Sequence, residues 1–453
     1  MRATPLLISA LALAAPACGG DDDGGAHVTP AIIPGGGVHD PGIAGEVAVY
    51  AIDADDGAPL VGATVHVGDV SATTDATGLA LVAGVTGPQS ILVQATGHAA
   101  TLWVGADGGN VTIPLDRSPP DTSRRPQAQL TGSITGWDAL PQPEVNHARL
   151  ALISFAQDPT LGSRANDVNQ PPPMGSLPTA SCLRNRGPAT PCAWKLNARP
   201  GAIALGVIVI DVDNRGTADP GDDAQVVTGF SVTPITVVAG MNQTGVMLAL
   251  PAADSTVRPT IDLGTPPAAL TQVAVRVGLD LGSAGVFRLP GIDPTRGGAV
   301  VPSVTVAAGA TYELLGVAQE PVADGTAAQS IVLRRGATDP TTLAAGTWLE
   351  PPTGLASDRT MVSFVRGAAT GPYAVQLDNA GLGVEGRRVM TIAILDGSST
   401  VALPLDRAPL PADPLTMRVT TLDTGAAIDL RDFEVTAVTA QTVAAAVDTI
   451  KIP

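Results

Sequence analysis

The chain has little of what catalysis usually draws on. Its 453 residues include 5 histidines, 3 cysteines and only 3% aromatics. Lys195 and Lys451 are its only lysines. Five histidines leave little for general acid–base work. There is no His-Glu-x-x-His, no Gly-x-Ser-x-Gly, no phosphate loop and no dinucleotide fingerprint. Acidic pairs fall in turn sequences, which gives no basis for glycosidase chemistry. Scarce aromatics also argue against sugar-stacking platforms. Basic residues number 25 against 42 acidic ones, a net charge of −17. Such a chain repels phosphate backbones, so no nucleic-acid partner is expected. It has no cationic face for anionic lipid either, so any membrane attachment must be covalent.

What is present is β-forming and turn-forming. Hydrophobic residues make up 45% of the chain, with 51 Gly and 40 Pro. The cores must be built from Val, Leu, Ile and Ala, turns must be frequent, and long helices few. The length implies three or four domains of roughly 100 to 200 residues each.

Residues 1–17 read as a secretory signal. Arg2 is a minimal positive region and Leu6–Ala15 an apolar run too short to span a bilayer. Ala15-Pro16-Ala17-Cys18 follows. "AAPAC" resembles the lipobox of bacterial lipoproteins, with Ala15 where Leu is commonest. The resemblance implies that Cys18 becomes the acylated first mature residue. Ala-x-Ala also fits ordinary signal peptidase, which would leave a reactive thiol at the mature terminus. Gly19 lacks the aspartate that signals inner-membrane retention in enteric lipoproteins, so the expected location is the outer membrane, on either face. Residues 18–43, rich in Gly, Pro and Asp, read as a flexible tether carrying His27 and His39 as solvated residues.

If Cys18 is lipidated, Cys182 and Cys192 remain as a pair around "CLRNRGPATPC", and a local disulfide is expected in an exported protein. Trp194 is expected to pack on it. The surrounding stretch 156–193 is long and irregular, a candidate binding surface or a decorated loop.

Residues 44–116 hold short alternating strands, "EVAVYAI", "ATVHV", "LALVAGV" and "SILVQAT", separated by the turns "DADDGAP", "TDATG" and "VTGPQ". Their order resembles the carboxypeptidase regulatory-like, or transthyretin-like, domain. The matching residues are Gly45 and Val47, "GAPLVGATV" at 57–65, Thr74, Asp75 and Gly78, and Gly97-His98, where His98 stands in place of the usual Tyr or Phe. The resemblance implies a seven-stranded β-sandwich without catalytic residues. His66 alternates with Thr64 on the polar face of its strand and is expected at the surface.

A phrase recurs along the chain: "NVTIPLDRSPPD" at 110–121 and "STVALPLDRAPLPAD" at 399–413, with weaker versions at 244–255 and 329–339. Read as the closing strand of a module, it divides the chain into sandwiches at 44–116, 129–250, 260–336 and 340–453. The expected fold is therefore all-β: tandem immunoglobulin-like or transthyretin-like sandwiches behind a signal peptide and tether. The last 40 residues should supply at least two more strands to the fourth.

One stretch has ligand chemistry. "GVIVIDVDNRGTADPGDDAQVV" at 206–227 delivers Asp211, Asp213, Asp219 and Asp222 from an apolar strand into a Gly-punctuated turn. Calcium needs six to eight flexible oxygens, and the loop resembles the calcium loops of EF-hand and dockerin motifs, with Arg215 at the fifth position and Asp222 for the final Glu. The alternative is a solvated acidic turn neutralised by Arg215. Otherwise no cofactor is expected. The sequence reads as a non-enzymatic envelope lipoprotein that displays β modules for contact with a protein partner, adhesion or scaffolding. The alternatives are an accessory subunit of an envelope hydrolase and a carbohydrate-binding lipoprotein.

Overall fold

The computed structural model describes residues 42–54, 58–118, 128–156, 180–198, 201–217, 224–238, 240–252, 255–288, 300–321, 326–338, 341–369, 371–379, 387–423 and 444–453. The signal sequence, Cys18, the tether up to residue 41 and the irregular stretch 157–179 lie outside them, as do Asp219 and Asp222. The described residues are all-β and contain no α-helix.

The first module has strands β1 (Ala44–Asp53), β2 (Thr64–Val67), β3 (Val70–Thr73), β4 (Leu79–Thr86), β5 (Gln89–Gln94), β6 (Ala100–Ala106) and β7 (Asn110–Leu115). They form two sheets, β4-β1-β7 and β3-β2-β5-β6, with β1 and β7 parallel. Alternation sends Val47, Val49, Val65, Val67, Val82, Ile91 and Val93 inward around the buried Trp103. The "TDATG" turn has a physical reason for each letter. The Thr74 hydroxyl accepts from Ala63 N at 2.8 Å and donates to the Leu60 carbonyl. The Asp75 carboxylate accepts from Thr77 N and Leu79 N. Gly78 has φ +77°, and a Cβ there would lie 2.8 Å from the Ala51 carbonyl oxygen.

The second module repeats this topology strand for strand. It contains β8 (Ala128–Thr135), β9 (His147–Phe155), β10 (Ala180–Arg184), β11 (Ala193–Ala198), β12 (Gly201–Asp213), β13 (Ala224–Val237) and β14 (Gln243–Ala249). The sheets are β11-β8-β14 and β10-β9-β12-β13, and again the first and last strands run parallel.

The third module keeps the order but loses half of one sheet. β15 (Thr256–Val257), β16 (Thr260–Asp262), β17 (Gln272–Asp280), β18 (Val286–Arg288), β19 (Val301–Pro302), β20 (Thr311–Gln319), β21 (Gln329–Ala337) and β22 (Thr342–Ala344) give the sheet β18-β17-β20-β21. Opposite it, among the described residues, stand the short pairs β15-β19 and β16-β22. Thr342–Ala344 thus pairs with the start of the third module, and Trp348 packs on its Leu270, Ala318 and Val332. The sequence division at 340 splits this unit.

The fourth module is different. β23 (Thr353–Ser357), β24 (Met361–Val365), β25 (Tyr373–Asn379), β26 (Arg387–Ile394), β27 (Thr400–Ala402), β28 (Leu415–Asp423) and β29 (Ala444–Ile452) make the sheets β23-β24-β27 and β29-β28-β25-β26, antiparallel throughout. This is an immunoglobulin-type sandwich. The recurring phrase closes a module in β7 and β14 but is an interior strand in β21 and β27, so it marks a local strand-and-turn habit rather than a module end.

The modules are not separate beads. Sheets of the third, fourth and first merge into one of twelve strands, ordered β18-β17-β20-β21-β29-β28-β25-β26-β6-β5-β2-β3. The antiparallel pair β21-β29 joins the third module to the fourth, and the parallel pair β26-β6 joins the fourth to the first. The second module is held by side chains. Ala204, Ile208, Ile210 and Phe230 on one face of its sheet pack into the core of Val275, Val277, Leu279, Phe287, Tyr312 and Leu314. The Phe230 and Phe287 rings meet edge to face, centroids 5.5 Å apart. The third module's missing sheet area is supplied by its neighbour.

Candidate functional site

The chemistry-bearing side chains concentrate where the fourth module meets the first. β7 ends at Leu115, and Asp116, Arg117 and Ser118 continue across the gap between the two modules. The segment is fixed by backbone bonds to the turn before β6: Ala99 N donates to the Asp116 carbonyl at 2.8 Å, and Ser118 N to the Gly97 carbonyl at 2.9 Å. Asp116 reaches into the fourth module. Its Oδ2 accepts from Arg388 at 2.8 Å and from Thr391 Oγ1 at 3.3 Å. Arg388 also grips Asp378 at 2.5 Å. Ser118 Oγ donates to the Arg388 carbonyl at 2.6 Å, and Arg387 donates to Ser118 Oγ and to its carbonyl. Arg388, Asp116, Thr391 and Asn379 are all buried. Burial opposes the charge on Arg388, and Asp116 and Asp378 outweigh it, holding its pKa above the ordinary arginine value.

The other side of the same segment faces the first module. Asp53, at the end of β1, is 1% exposed. Its Oδ2 accepts from Arg117 and, at 3.1 Å, from His98 Nε2. His98 Nδ1 lies 3.1 Å from the Thr96 carbonyl oxygen. The hydrogen bond to Asp53 raises the His98 pKa above its usual value, against the opposing effect of burial.

His66 is not the free surface residue its strand pattern suggests. It is half-buried beside Arg407, and burial first, then that cation, lower its pKa. Arg407 donates to the Gly68 carbonyl at 2.6 Å, and the Arg407 carbonyl accepts from Gln94 at 3.0 Å. The second "PLDR", at 404–407, thus anchors the fourth module on the first. His66 and His98 make separate contacts and do not converge.

Cys182 and Cys192 are joined, with Cα atoms 5.5 Å apart. The bond ties β10 to β11, the outer strands of opposing sheets, and closes that side of the second module. Cys192 and Trp194 belong to the same buried cluster. Asp211 faces a cross-strand arginine and Asp213 a cross-strand histidine. Arg149 clasps Asp211 at 2.7 and 3.4 Å, and His147 stands 3.9 Å from Asp213. Asp213 also accepts from Arg215 N, and Arg215 takes its positive φ in the turn that Thr217 N closes on the Asn214 carbonyl. Among the described residues no three His, Cys, Asp or Glu side chains are grouped to hold a metal. All four tryptophans are buried (Trp103, Trp137, Trp194 and Trp348), so none offers a flat face to a sugar.

Sequence reasoning found the disulfide residues and flagged His98. It missed Asp53, Asp116, Arg117, Arg387 and Arg388. The doubled "PLDR" was a signal for Asp116 and Arg117 alone, and it read as the end of a closing strand.

No protein-family model matches the chain, and no curated relative matches it. Among solved structures it is similar to the FN1–FN3 domains of chicken CNTN1, at 10% identity over 80% of this chain and 94% of that one, with a TM-score of 0.14. A streptococcal ancillary pilin matches at 11% identity over 61% and 80%, TM-score 0.13. A tetra-tandem repeat from the extending region of a large adhesion protein matches at 12% over 83% and 95%, TM-score 0.13. At such scores the architecture rests on the strand topology itself.

Proposed function

We propose that this chain is a non-enzymatic, lipid-anchored protein of the bacterial envelope. It holds a braced body of β-sandwiches off the membrane for protein contact, adhesion or scaffolding. The first sandwich is of the carboxypeptidase regulatory-like kind, and the anchor is Cys18. One observation carries the reading: the charged side chains best placed for chemistry, Asp53, Asp116, Asp378, Arg117 and Arg388, are spent on one another within and between the first and fourth modules. A body in which paired charges fasten modules together is suited to bearing load and presenting surface rather than to turning over substrate. The lipobox-like "AAPAC" and the Gly-, Pro- and Asp-rich residues 18–43 support an anchor followed by a spacer. More than one acyl chain would make the attachment stable, at about 0.8 kcal/mol for each buried CH₂.

Mass spectrometry of the mature N-terminus tests this reading. The expected product begins at Cys18 and carries a diacylglyceryl thioether. An unmodified Cys18, or cleavage elsewhere, contradicts it.

A further inference from the structure

We propose that His98 is a proton-operated latch for the docking of the fourth module on the first. The protonated imidazole holds Asp53 and Arg117 in place, and through them the segment 116–118 that Arg387 and Arg388 grip.

The protonation state follows from the partners. The Thr96 carbonyl oxygen can only accept, and the Asp53 carboxylate, engaged by Arg117, can only accept. Both ring nitrogens of His98 must therefore donate, and only the imidazolium does so. Loss of the proton leaves a nitrogen lone pair facing an oxygen lone pair. The charged groups facing His98 are Asp53 from β1 and Arg117 from the 116–118 segment; Asp116 on that segment is taken up by Arg388.

The path to the fourth module is short. His98 and Arg117 form a two-residue bridge flanked by the bonds Ala99 N to Asp116 O and Ser118 N to Gly97 O. Arg117 shares the very oxygen of Asp53 that His98 holds. One residue to either side, Asp116 and Ser118 make the bonds to Arg388, Thr391 and Arg387. Loss of the positive charge weakens the hold on the Asp53 oxygen that Arg117 shares, and a shift of Arg117 is passed to its chain neighbours Asp116 and Ser118. The latch is closed under mild acid and eases as pH rises. Because the docked state binds the proton more tightly, the stabilisation is complete below about pH 6.5, the free histidine value, and fades as pH rises through the raised value.

Linkage makes the proposal testable in both directions, since docking must strengthen proton binding as much as the proton strengthens docking. The His98 imidazole is titrated by NMR in the full mature chain, in R388M, and in S118A, the milder variant that keeps the buried ion pairs. Melting curves are recorded from pH 5.5 to 8.5 for the wild type and for H98Q. The expected result is a lower His98 titration midpoint in R388M or S118A than in the wild type, and a wild-type melting temperature that falls between pH 6.5 and 8.5 with a slope absent from H98Q. A His98 midpoint unchanged by either docking variant overturns the latch, because the histidine would then be a private matter of the first module. Equal pH slopes in wild type and H98Q overturn it as well.

Discussion

Two module contacts in this chain solve the same problem with opposite materials. The second and third modules meet through the apolar side chains of Ile208, Ile210, Phe230, Phe287 and Leu279. The fourth and first meet through a parallel strand pair whose end is fastened by Asp116, Arg388 and Asp378. An apolar contact is graded: each lost methylene costs its own transfer and cavity energy. A buried ionic contact is all-or-none, because removing one partner strands the others without water. The apolar contact is built for tolerance. The ionic one is built for register, because Arg388 must reach Asp116 and Asp378 together.

The largest effect is expected from breaking the ionic contact on one side. Arg388→Met leaves the buried Asp116 without the Arg388 guanidinium and should lower stability by about 3–5 kcal/mol. Calorimetry would register this as a lower melting temperature. A shift no greater than that of a surface substitution would mean that the ionic cluster does not hold the modules.

Next comes the covalent closure of the second module. Replacing Cys182 and Cys192 together by Ala opens a ten-residue loop and should cost about 2–3 kcal/mol. The loss should appear in the second module's unfolding and leave the first–fourth contact intact. Peptide-level hydrogen exchange that loosens β6 and β26 equally would dissolve the distinction between the two halves.

The apolar contact should yield least to a single change. Phe287→Leu keeps most of the volume, loses the edge-to-face pair with Phe230, and should cost about 1–2 kcal/mol in urea titrations. A loss as large as that from Arg388→Met would make both contacts all-or-none. Millimolar calcium should leave the melting temperature unmoved, because Arg149 already occupies Asp211. A rise of several degrees would restore the acidic loop as a metal site.

The two contacts also differ in how far the sequence disclosed them. Ile203 to Ile210 is an unbroken buried run on β12. A strand without alternation is a strand covered on both faces, and "AIALGVIVI" signalled that. The same run delivers Asp211, whose partner Arg149 lies 62 residues away. The strands of the first module and its "TDATG" turn were legible because each depends on neighbours in sequence. Asp116–Arg388 was not, because its ends are 272 residues apart and nothing near either one in sequence announces the other. The antiparallel topology of the fourth module was equally hidden: alternation gives strands and faces, not their order in the sheet.

The central claim is that the first and fourth modules share a sheet, and amide hydrogen exchange across β6 and β26 tests it most directly. In the intact chain the amides of Ala100–Val104 and Met390–Ile394 should exchange as slowly as those of the central pair β25 and β28, and Arg388→Met should release β6 and β26 first. If these amides exchange as fast as those of the edge strand β3 while each module stays folded, the two sheets are separate and the account fails.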